Sequence, residues 1–264
     1  MGIRSLILLS SYLLSDGGIS AKGKESWTIY FRNKDKTVIQ EFQKQLRECT
    51  GREGYTTKRK DGSIFVKIHS KKLGTKLFQL SGSYRTKPCT RHPICQHLKG
   101  KRSSHREPTI NFDGVGYPPA NLPKEIFKDT KLARNFLRIY ATCDGGVSVV
   151  PAKNSKGSQF LVRRVFIAVE HPILKKELVE VLKILRYSPL EYKGQIRLTK
   201  KEDILKFSKE IAFIKNARIS KDSKYLNGHT KNKILNMIVN SYDHPHILLG
   251  FLLKTRPFFR LSQD

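Results

Sequence analysis

The spacing of hydrophobic residues along the 264-residue chain predicts a mixture of helices and strands. Residues 5–15 form a mostly apolar run of helical length, and residues 132–141 form a second one. Between them, Trp27, Ile29 and Phe31 alternate with polar side chains, which is typical of a strand with one buried face. We therefore expect an α+β fold in which helices cover one face of antiparallel strands.

The first of these helices begins a repeating unit. Apolar residues recur at helical spacing over residues 38–46 and again over residues 73–80. The pair Asp61-Gly62, between these two segments, is a typical hairpin turn joining two short strands. The unit is thus predicted to run helix, strand pair, helix, strand pair, helix.

The same unit occurs twice in the chain. The segment Ser15-Asp-Gly-Gly-Ile-Ser20 recurs as Cys143-Asp-Gly-Gly-Val-Ser148, and each copy follows one of the apolar helices. In the second copy, the pattern predicts a strand over residues 164–169, a helix that begins at His171-Pro172 and a hairpin turn at Lys193-Gly194. The glycines after each aspartate suit the end of a helix.

The repeat sets the predicted domain boundaries, which are residues 1–85 for the first repeat, 86–130 for a partly ordered basic connector and 131–264 for the second repeat. The two motifs lie 128 residues apart, whereas the hairpin glycines Gly62 and Gly194 lie 132 apart. About four extra residues are therefore expected in the second copy, most simply at residues 151–158.

The charge of the chain indicates its partner. Lys and Arg number 51 and Asp and Glu 22, which gives a net charge of +29. A polyanion is the economical explanation, with nucleic acid favoured over an anionic membrane surface because no basic amphipathic helix is evident. The apolar N-terminal run is too short to span a bilayer, and four cysteines without an export signal predict a reducing, cytoplasmic setting.

The duplicated aspartate is the candidate catalytic feature. If the two apolar helices pack side by side, Asp16 and Asp144 come together, and adjacent carboxylates repel unless a cation lies between them. Mg²⁺ prefers oxygen ligands and bridges to phosphate oxygens, so such a pair suits metal-assisted phosphodiester hydrolysis. Each Asp-Gly-Gly taken alone is more typical of a helix cap and turn. The duplication, the apolar helix before each copy and the charge together favour the metal site instead.

Residues 12–18 (YLLSDGG) and 137–146 (LRIYATCDGG) resemble the two LAGLIDADG motifs of a monomeric homing endonuclease, similar to archaeal intron-encoded members. The resemblance implies duplicated αββαββα units related by a pseudo-twofold axis, with the motif helices at the centre and two antiparallel saddle-shaped sheets in the DNA major groove. It implies a site-specific endonuclease for intron homing that cuts both strands of a long, asymmetric double-stranded DNA target and needs no protein partner.

The resemblance also implies the metal ligands. Asp16 and Asp144 would bind two or three Mg²⁺ ions, assisted by the backbone carbonyls of Ser15 and Cys143. The family usually has a small residue where the motif helices cross, and Ile139 in that place predicts a wider or asymmetric crossing.

Four further residues are assigned to the catalytic centre by the same resemblance. Asn33 matches a polar residue at the end of a strand near the metals, and Glu170 is assigned to the corresponding place in the second copy. Lys87 and Lys231 are predicted to be the basic residues that stabilise the transition state.

Polar and basic residues that alternate with the apolar positions of the strands are candidates for DNA contact, since a two-stranded β element can enter the major groove. They are Thr28, Tyr30, Arg32, Lys58, Lys60, Lys67, His69, Gln195 and Arg197.

Other interpretations are kept open. A non-cleaving protein of the same fold, either an RNA intron-splicing maturase or a DNA-binding regulator, is the alternative function, although the presence of both aspartates favours the nuclease. The cluster Cys89, His92, Cys95 and His97 invites zinc, but its spacing differs from the usual pairs. Residues 244–253 are apolar and predict a packing helix.

Overall fold

The computed structural model describes residues 2–22, 26–86, 109–110, 116–153, 155, 157, 159–219, 226, 228–246 and 248. Lys87, the Cys89 to His97 cluster and most of the predicted helix at 244–253 lie outside these residues. No helix in the described ranges is both long and apolar enough to cross a membrane.

The first repeat has the predicted order of elements. It contains α1 (Ile3–Ser15), β1 (Gly17–Lys22), β2 (Ser26–Asn33), α2 (Lys36–Thr50), β3 (Tyr55–Lys58), β4 (Ile64–His69) and α3 (Lys71–Ser81). The strands form one antiparallel sheet in the order β1-β2-β4-β3. The side chain of Asp35 caps α2 by accepting from the Thr37 N–H at 2.8 Å, and Gly51, with φ of 73°, ends that helix.

The second half of the predicted connector is packed into the protein. It contains the short strands β5 (Thr109–Ile110) and β6 (Gly116–Tyr117) and a 3₁₀ helix, Lys124–Phe127. Ala120, Leu122 and Ile126 are fully buried. This part of the chain therefore joins the two repeats through the core.

The second repeat copies the first. It contains α4 (Thr130–Asp144), β7 (Gly145–Lys153), β8 (Gln159–Ala168), α5 (Pro172–Ile184), β9 (Leu190–Tyr192), β10 (Gln195–Leu198) and α6 (Lys201–Glu210), with strand order β7-β8-β10-β9. The duplicated α+β fold predicted from the sequence is confirmed. His171 takes the place of Asp35 as the residue that caps the helix after the first hairpin.

The extra residues of the second repeat lie where they were predicted, but the number differs. Gly17 pairs with Phe31, 14 residues later, whereas Gly145 pairs with Ile167, 22 residues later. The β7–β8 hairpin is thus eight residues longer, and the chain from there to the next hairpin is four residues shorter. Because one change lengthens the second repeat and the other shortens it, the sequence shows only their net difference of four residues.

An additional helix, α7 (Lys231–Asn240), follows the second repeat and was missed in the sequence. Its buried face consists mainly of Ile234, Leu235 and Ile238, which is a short apolar pattern in a mostly polar segment. Thr230 caps it by accepting from the Lys233 N–H at 3.2 Å. The side chain of its first residue, Lys231, bonds the end of α4.

The two repeats share one hydrophobic core, with α1 packed against α4. Ser11 Oγ on α1 donates to the backbone carbonyl of Phe136 on α4 at 2.8 Å, and both groups are buried. Ile139, which corresponds to Ser11 in the second repeat, cannot donate such a bond, and its side chain is 8% exposed. The hydrogen bonding of the helix crossing is therefore asymmetric.

Candidate active site

The glycine after each aspartate allows the chain to turn directly from helix into strand. A Cβ on Gly17 would lie 2.8 Å from the carbonyl oxygen of Tyr30, and one on Gly145 would lie 2.7 Å from that of Phe166. Both distances are too short for any side chain, because the contacts are with backbone atoms. The close approach fixes the preceding aspartate at the foot of its helix in both repeats.

The foot of α1 is supported by a side-chain amide. Asn33 Nδ2 donates to Asp16 Oδ2 at 2.7 Å, and Asn33 Oδ1 accepts from the Asp35 N–H at 2.8 Å. The Arg32 N–H donates to the backbone carbonyl of Asp16 at 3.1 Å, which fixes the end of β2 beside the helix foot. Asn33 therefore lies beside Asp16, as the resemblance implied, and orients its carboxylate.

The foot of α4 is supported by a buried ammonium group. Lys231 Nζ donates to the carbonyl oxygens of Thr142 and Gly145, both at 2.6 Å. Burial lowers the pKa of Lys231, while the negative charges of Asp16 and Asp144 act in the opposite direction. The predicted basic residue thus lies beside the candidate site, but it bonds the carbonyls at the end of α4.

The two carboxylates converge on the same buried groups between the motif helices. Burial raises the pKa of Cys143 well above its usual range, and the charges of Asp16 and Asp144 raise it further. Burial likewise raises the pKa of Tyr140, again with both aspartates contributing. The raised pKa values keep the thiol and the phenol neutral at ordinary pH.

The strand register corrects one assignment. Asn33 lies two residues after the cross-strand partner of Gly17, and the residue two after the partner of Gly145 is Val169. Glu170 lies one position later, with an exposed side chain, so it does not occupy the place of Asn33. Val169 is only 5% exposed, so the counterpart of a polar residue in the first repeat is a core residue in the second.

An open cavity of about 970 Å³ lies beside the foot of α1. Part of its wall comes from the second repeat, because the Arg218 N–H donates to the carboxylate of Asp35. The carboxylates of Asp16, Asp35 and Asp61, the amide of Asn33 and five cationic side chains line one space that is wide enough for a phosphate group. The charged and polar lining includes Asp16, Arg32, Asn33, Lys34, Arg85, Arg218 and Lys231.

Most of the predicted DNA contacts share the face of their sheet that points away from the helices. Thr28 pairs with His69, with their side chains 3.0 Å apart, and Tyr30 pairs with Lys67. Arg32 lies on the same face and forms an ion pair with Asp61.

In the second sheet, Gln195 and Arg197 lie opposite Ala168 and Phe166 on the outward face. For these positions, as for their counterparts in the first sheet, the geometry agrees with the prediction. Their role in DNA contact stays a prediction.

Two of the lysines predicted to contact DNA do not lie on this outward face, and their role stays a prediction. Lys58 pairs with Ile64 on the face of the sheet that packs against the helices, and Lys60 lies in the turn after β3. The outward residues of β3 are Tyr55 and Thr57, which the sequence analysis missed although strict alternation from Thr56 would have identified them. An aromatic and a hydroxyl group therefore stand where two cations were expected.

The folded chain is similar to solved structures of LAGLIDADG homing endonucleases. It matches LAGLIDADG meganuclease I-AabMI bound to uncleaved DNA, with a TM-score of 0.56 and 11% identity, over 96% of this chain and 99% of that one. It matches I-SmaMI, bound to uncleaved DNA in the presence of calcium ions, with a TM-score of 0.53 and 12% identity, over 96% of each chain. At these identities the likeness shows the fold.

No protein-family model matches the sequence, and no curated protein matches it by sequence.

Proposed function

We propose that the chain is a site-specific endonuclease that cleaves both strands of a long, asymmetric double-stranded DNA by metal-dependent hydrolysis. The observation that carries the proposal is that α1 and α4 pack against each other and end at Asp16 and Asp144, whose charges both act on the buried Cys143 and Tyr140. The relatives in fold, I-AabMI and I-SmaMI, were solved bound to DNA, which supports duplex DNA as the partner. Because one chain supplies both motifs, we propose that it acts as a monomer.

The donor atoms at the two helix feet fit a hard divalent cation. Among the described residues there is no group of three or more His, Cys, Asp and Glu side chains that could hold a metal. An ion would thus depend on Asp16, Asp144, the backbone carbonyls of Ser15 and Cys143, water and phosphate oxygens, which is the ligand set that Mg²⁺ favours. When bound, Mg²⁺ would supply a nucleophilic water and neutralise charge on the phosphate.

The surrounding residues position these donors and the substrate. Asn33 fixes the orientation of the Asp16 carboxylate through its 2.7 Å bond. Lys231 holds the last carbonyls of α4 in place and partly compensates the charges of both aspartates. Arg32 and Arg218 line the adjacent cavity and are placed to contact DNA phosphates.

The sheets supply the means of binding duplex DNA. Their outward faces are large enough to follow a groove, and the net charge of +29 draws a polyanion to them. We propose intron homing as the biological role, which requires the long, specific site that two independent sheets can recognise together.

The proposal is tested by incubating the full chain with a plasmid library of genomic fragments in MgCl₂ and sequencing the new DNA ends. We expect double-strand breaks at one site, which are lost on chelation and lost in the Asp16→Asn/Asp144→Asn double variant. Asp243→Asn is the matched control, because Asp243 is exposed and pairs only weakly with Lys201 at 3.7 Å.

The outcomes separate the nuclease from the alternatives. Cleavage that survives the double substitution would mean that these carboxylates do not carry the reaction. A wild-type chain that binds DNA, or a structured intron RNA, and cuts neither would instead identify a regulator or a maturase.

A further inference from the structure

The outward faces of the two sheets differ in chemistry although their strands correspond position by position. Arg32 on β2 corresponds to Ala168 on β8, and Thr57 on β3 corresponds to Tyr192 on β9, since each has the same place in its strand register. The first face thus presents a guanidinium where the second presents a methyl group, and a small hydroxyl side chain where the second presents a phenol ring. At the place between them the order is reversed, with Phe65 in the first sheet and Gln195 in the second.

The longer β7–β8 hairpin adds a further apolar surface. Val150 pairs with Val162, and Ala152 pairs with Phe160. These four side chains point away from the helices, because Arg163, on the other face of β8, bonds Ser241 Oγ at the end of α7 at 2.7 Å. Phe160 is 49% exposed, which makes it one of the most exposed large apolar side chains of the described protein.

The extension has a defined length along the DNA. Lys22, the last residue of β1, corresponds to Val150 in β7. The paired part of β7 continues for three residues beyond Val150, to Lys153. Three residues of strand span about 10 Å. A stack of about three base pairs has that length, so the second sheet reaches about three base pairs farther from the motif helices.

Two arginines add positive charge to this outward face. Arg164 Nε and Arg197 Nε are buried without a hydrogen-bond partner in the described part of the chain. Both side chains belong to the outward face, by pairing with Ser148 and Phe166. The Nε atoms are covered by their neighbours, and the guanidinium of Arg197 stacks on the Tyr192 ring, 3.8 Å from its centroid. The terminal N–H groups of these two arginines are the donors that suit phosphates and guanine edges on this face.

We infer that the second sheet recognises the longer half of an asymmetric DNA site, and that the outer three or so base pairs of this half are rich in thymine. The contacts with the C5 methyl groups would be made by Ala152 and Phe160 in the extension and by Val150 and Val162 at its base. Thymine is the base that presents an apolar group in the major groove, so an apolar strand surface selects it. This inference rests on the proposed DNA-binding function and adds the chemistry of the target.

The test replaces thymine by deoxyuridine, which removes the methyl group and keeps the base pairing. A site selected from the library is prepared with uracil at the outer positions of one end, then of the other. Binding is measured with the Asp16→Asn/Asp144→Asn chain, so that the DNA stays intact. We expect affinity to fall about fourfold for each methyl lost, at one end of the site only.

Substitutions in the protein assign that end to the second sheet. In Val150→Ser and Val162→Ser, the difference between thymine and uracil DNA should shrink to less than twofold, because the methyl groups no longer meet an apolar surface. Ile184→Ser is the matched control: Ile184 is 40% exposed on α5, away from the sheets. It should retain the full fourfold dependence for each methyl.

Several results would overturn the inference. An equal response at both ends of the site, or a response that persists in the valine variants, would contradict it while leaving the nuclease proposal intact. A dimer in sedimentation that Phe160→Ser abolishes, without any uracil effect, would show that the surface binds a second copy instead. Failure to select any site would contradict the proposed nuclease function itself, and this inference with it.

Discussion

The two motif helices end in the same way but are supported by different chemistry. At the foot of α1 a neutral amide, Asn33, holds the carboxylate of Asp16. At the foot of α4 a buried cation, Lys231, holds two carbonyls of the helix end. The duplicated parts are the aspartate and the glycine that fix the backbone. The side chains around them have diverged, so each foot is stabilised by contacts that the other lacks.

The largest expected effect tests whether both feet take part in the reaction. Asp16→Asn and Asp144→Asn each remove one carboxylate charge with little change in shape, so cleavage should fall about a thousandfold or more in each variant, equivalent to about 4 kcal/mol. The rates are measured on supercoiled plasmid carrying the selected site, with nicked and linear products quantified separately. If one variant cleaved at the wild-type rate, the two feet would not form a single site.

Next in size is the contribution of the cation at the second foot. Lys231→Met leaves two carbonyls of α4 unsatisfied in a buried place and should lower the free energy of unfolding by about 2–4 kcal/mol. Lys233→Met, on the exposed face of the same helix, should change it by less than about 0.5 kcal/mol. Urea unfolding of both variants provides the comparison. Equal stabilities would show that the two bonds do not support the helix end.

Substitutions at the two strand ends, Asn33 and Val169, test whether the two helix feet are supported differently. Asn33→Ala removes two partly buried hydrogen bonds, so stability should fall by about 1–3 kcal/mol while cleavage falls about tenfold, because the Asp16 carboxylate loses its orientation. Val169→Asn places an amide in a core position and should cost about 1–3 kcal/mol. Chemical unfolding and plasmid cleavage of the two variants are the measurements. A more stable Val169→Asn protein would contradict the register correspondence.

The smallest effect concerns the helix caps that follow each first hairpin. His171 Nδ1 accepts from the Leu174 N–H, and Nε2 then donates to the carbonyl of Pro118 at 2.7 Å. Burial lowers the pKa of His171 below its usual 6.5, so the unfolded chain takes up the proton first. The contribution of this residue is full above about pH 6.5 and is lost as the pH falls through the lowered pKa.

Unfolding at pH 7.5 and pH 5 measures this contribution. His171→Asn, which keeps an acceptor for the cap, should flatten the pH dependence. The exposed His244→Asn should leave the dependence as in the wild type. An unchanged slope in His171→Asn would mean that the cap does not titrate.

The sequence predicted the repeat, the motif helices and the place of Asn33, because these depend on local patterns and on one strongly marked motif. It misplaced Glu170 by one residue. Eight added residues in the β7–β8 hairpin and four lost afterwards appear in the sequence only as a net change of four. Register within a sheet depends on such lengths, and a shift of one residue turns a side chain to the other face.

The missed helix α7 has a different cause. Its ten residues contain an apolar pattern too short to predict a helix by itself. The helix is stabilised by tertiary contacts, which a local sequence pattern does not show. Lys231 was nevertheless among the predicted site residues. What the sequence did not indicate is that its ammonium bonds backbone carbonyls. These carbonyls belong to Thr142 and Gly145, which precede Lys231 in the chain by 89 and 86 positions.

The buried ammonium of Lys231 has a consequence for the metal-free protein. Two carboxylates at a helix interface would repel each other and oppose assembly of the two repeats, and a fixed internal counter-ion offsets that repulsion before any metal arrives. Proteins that lack such a charge can require the metal in order to fold. Here the chain carries its own compensation, so chelation should leave the folded state intact, and the protein can bind DNA before it acquires metal.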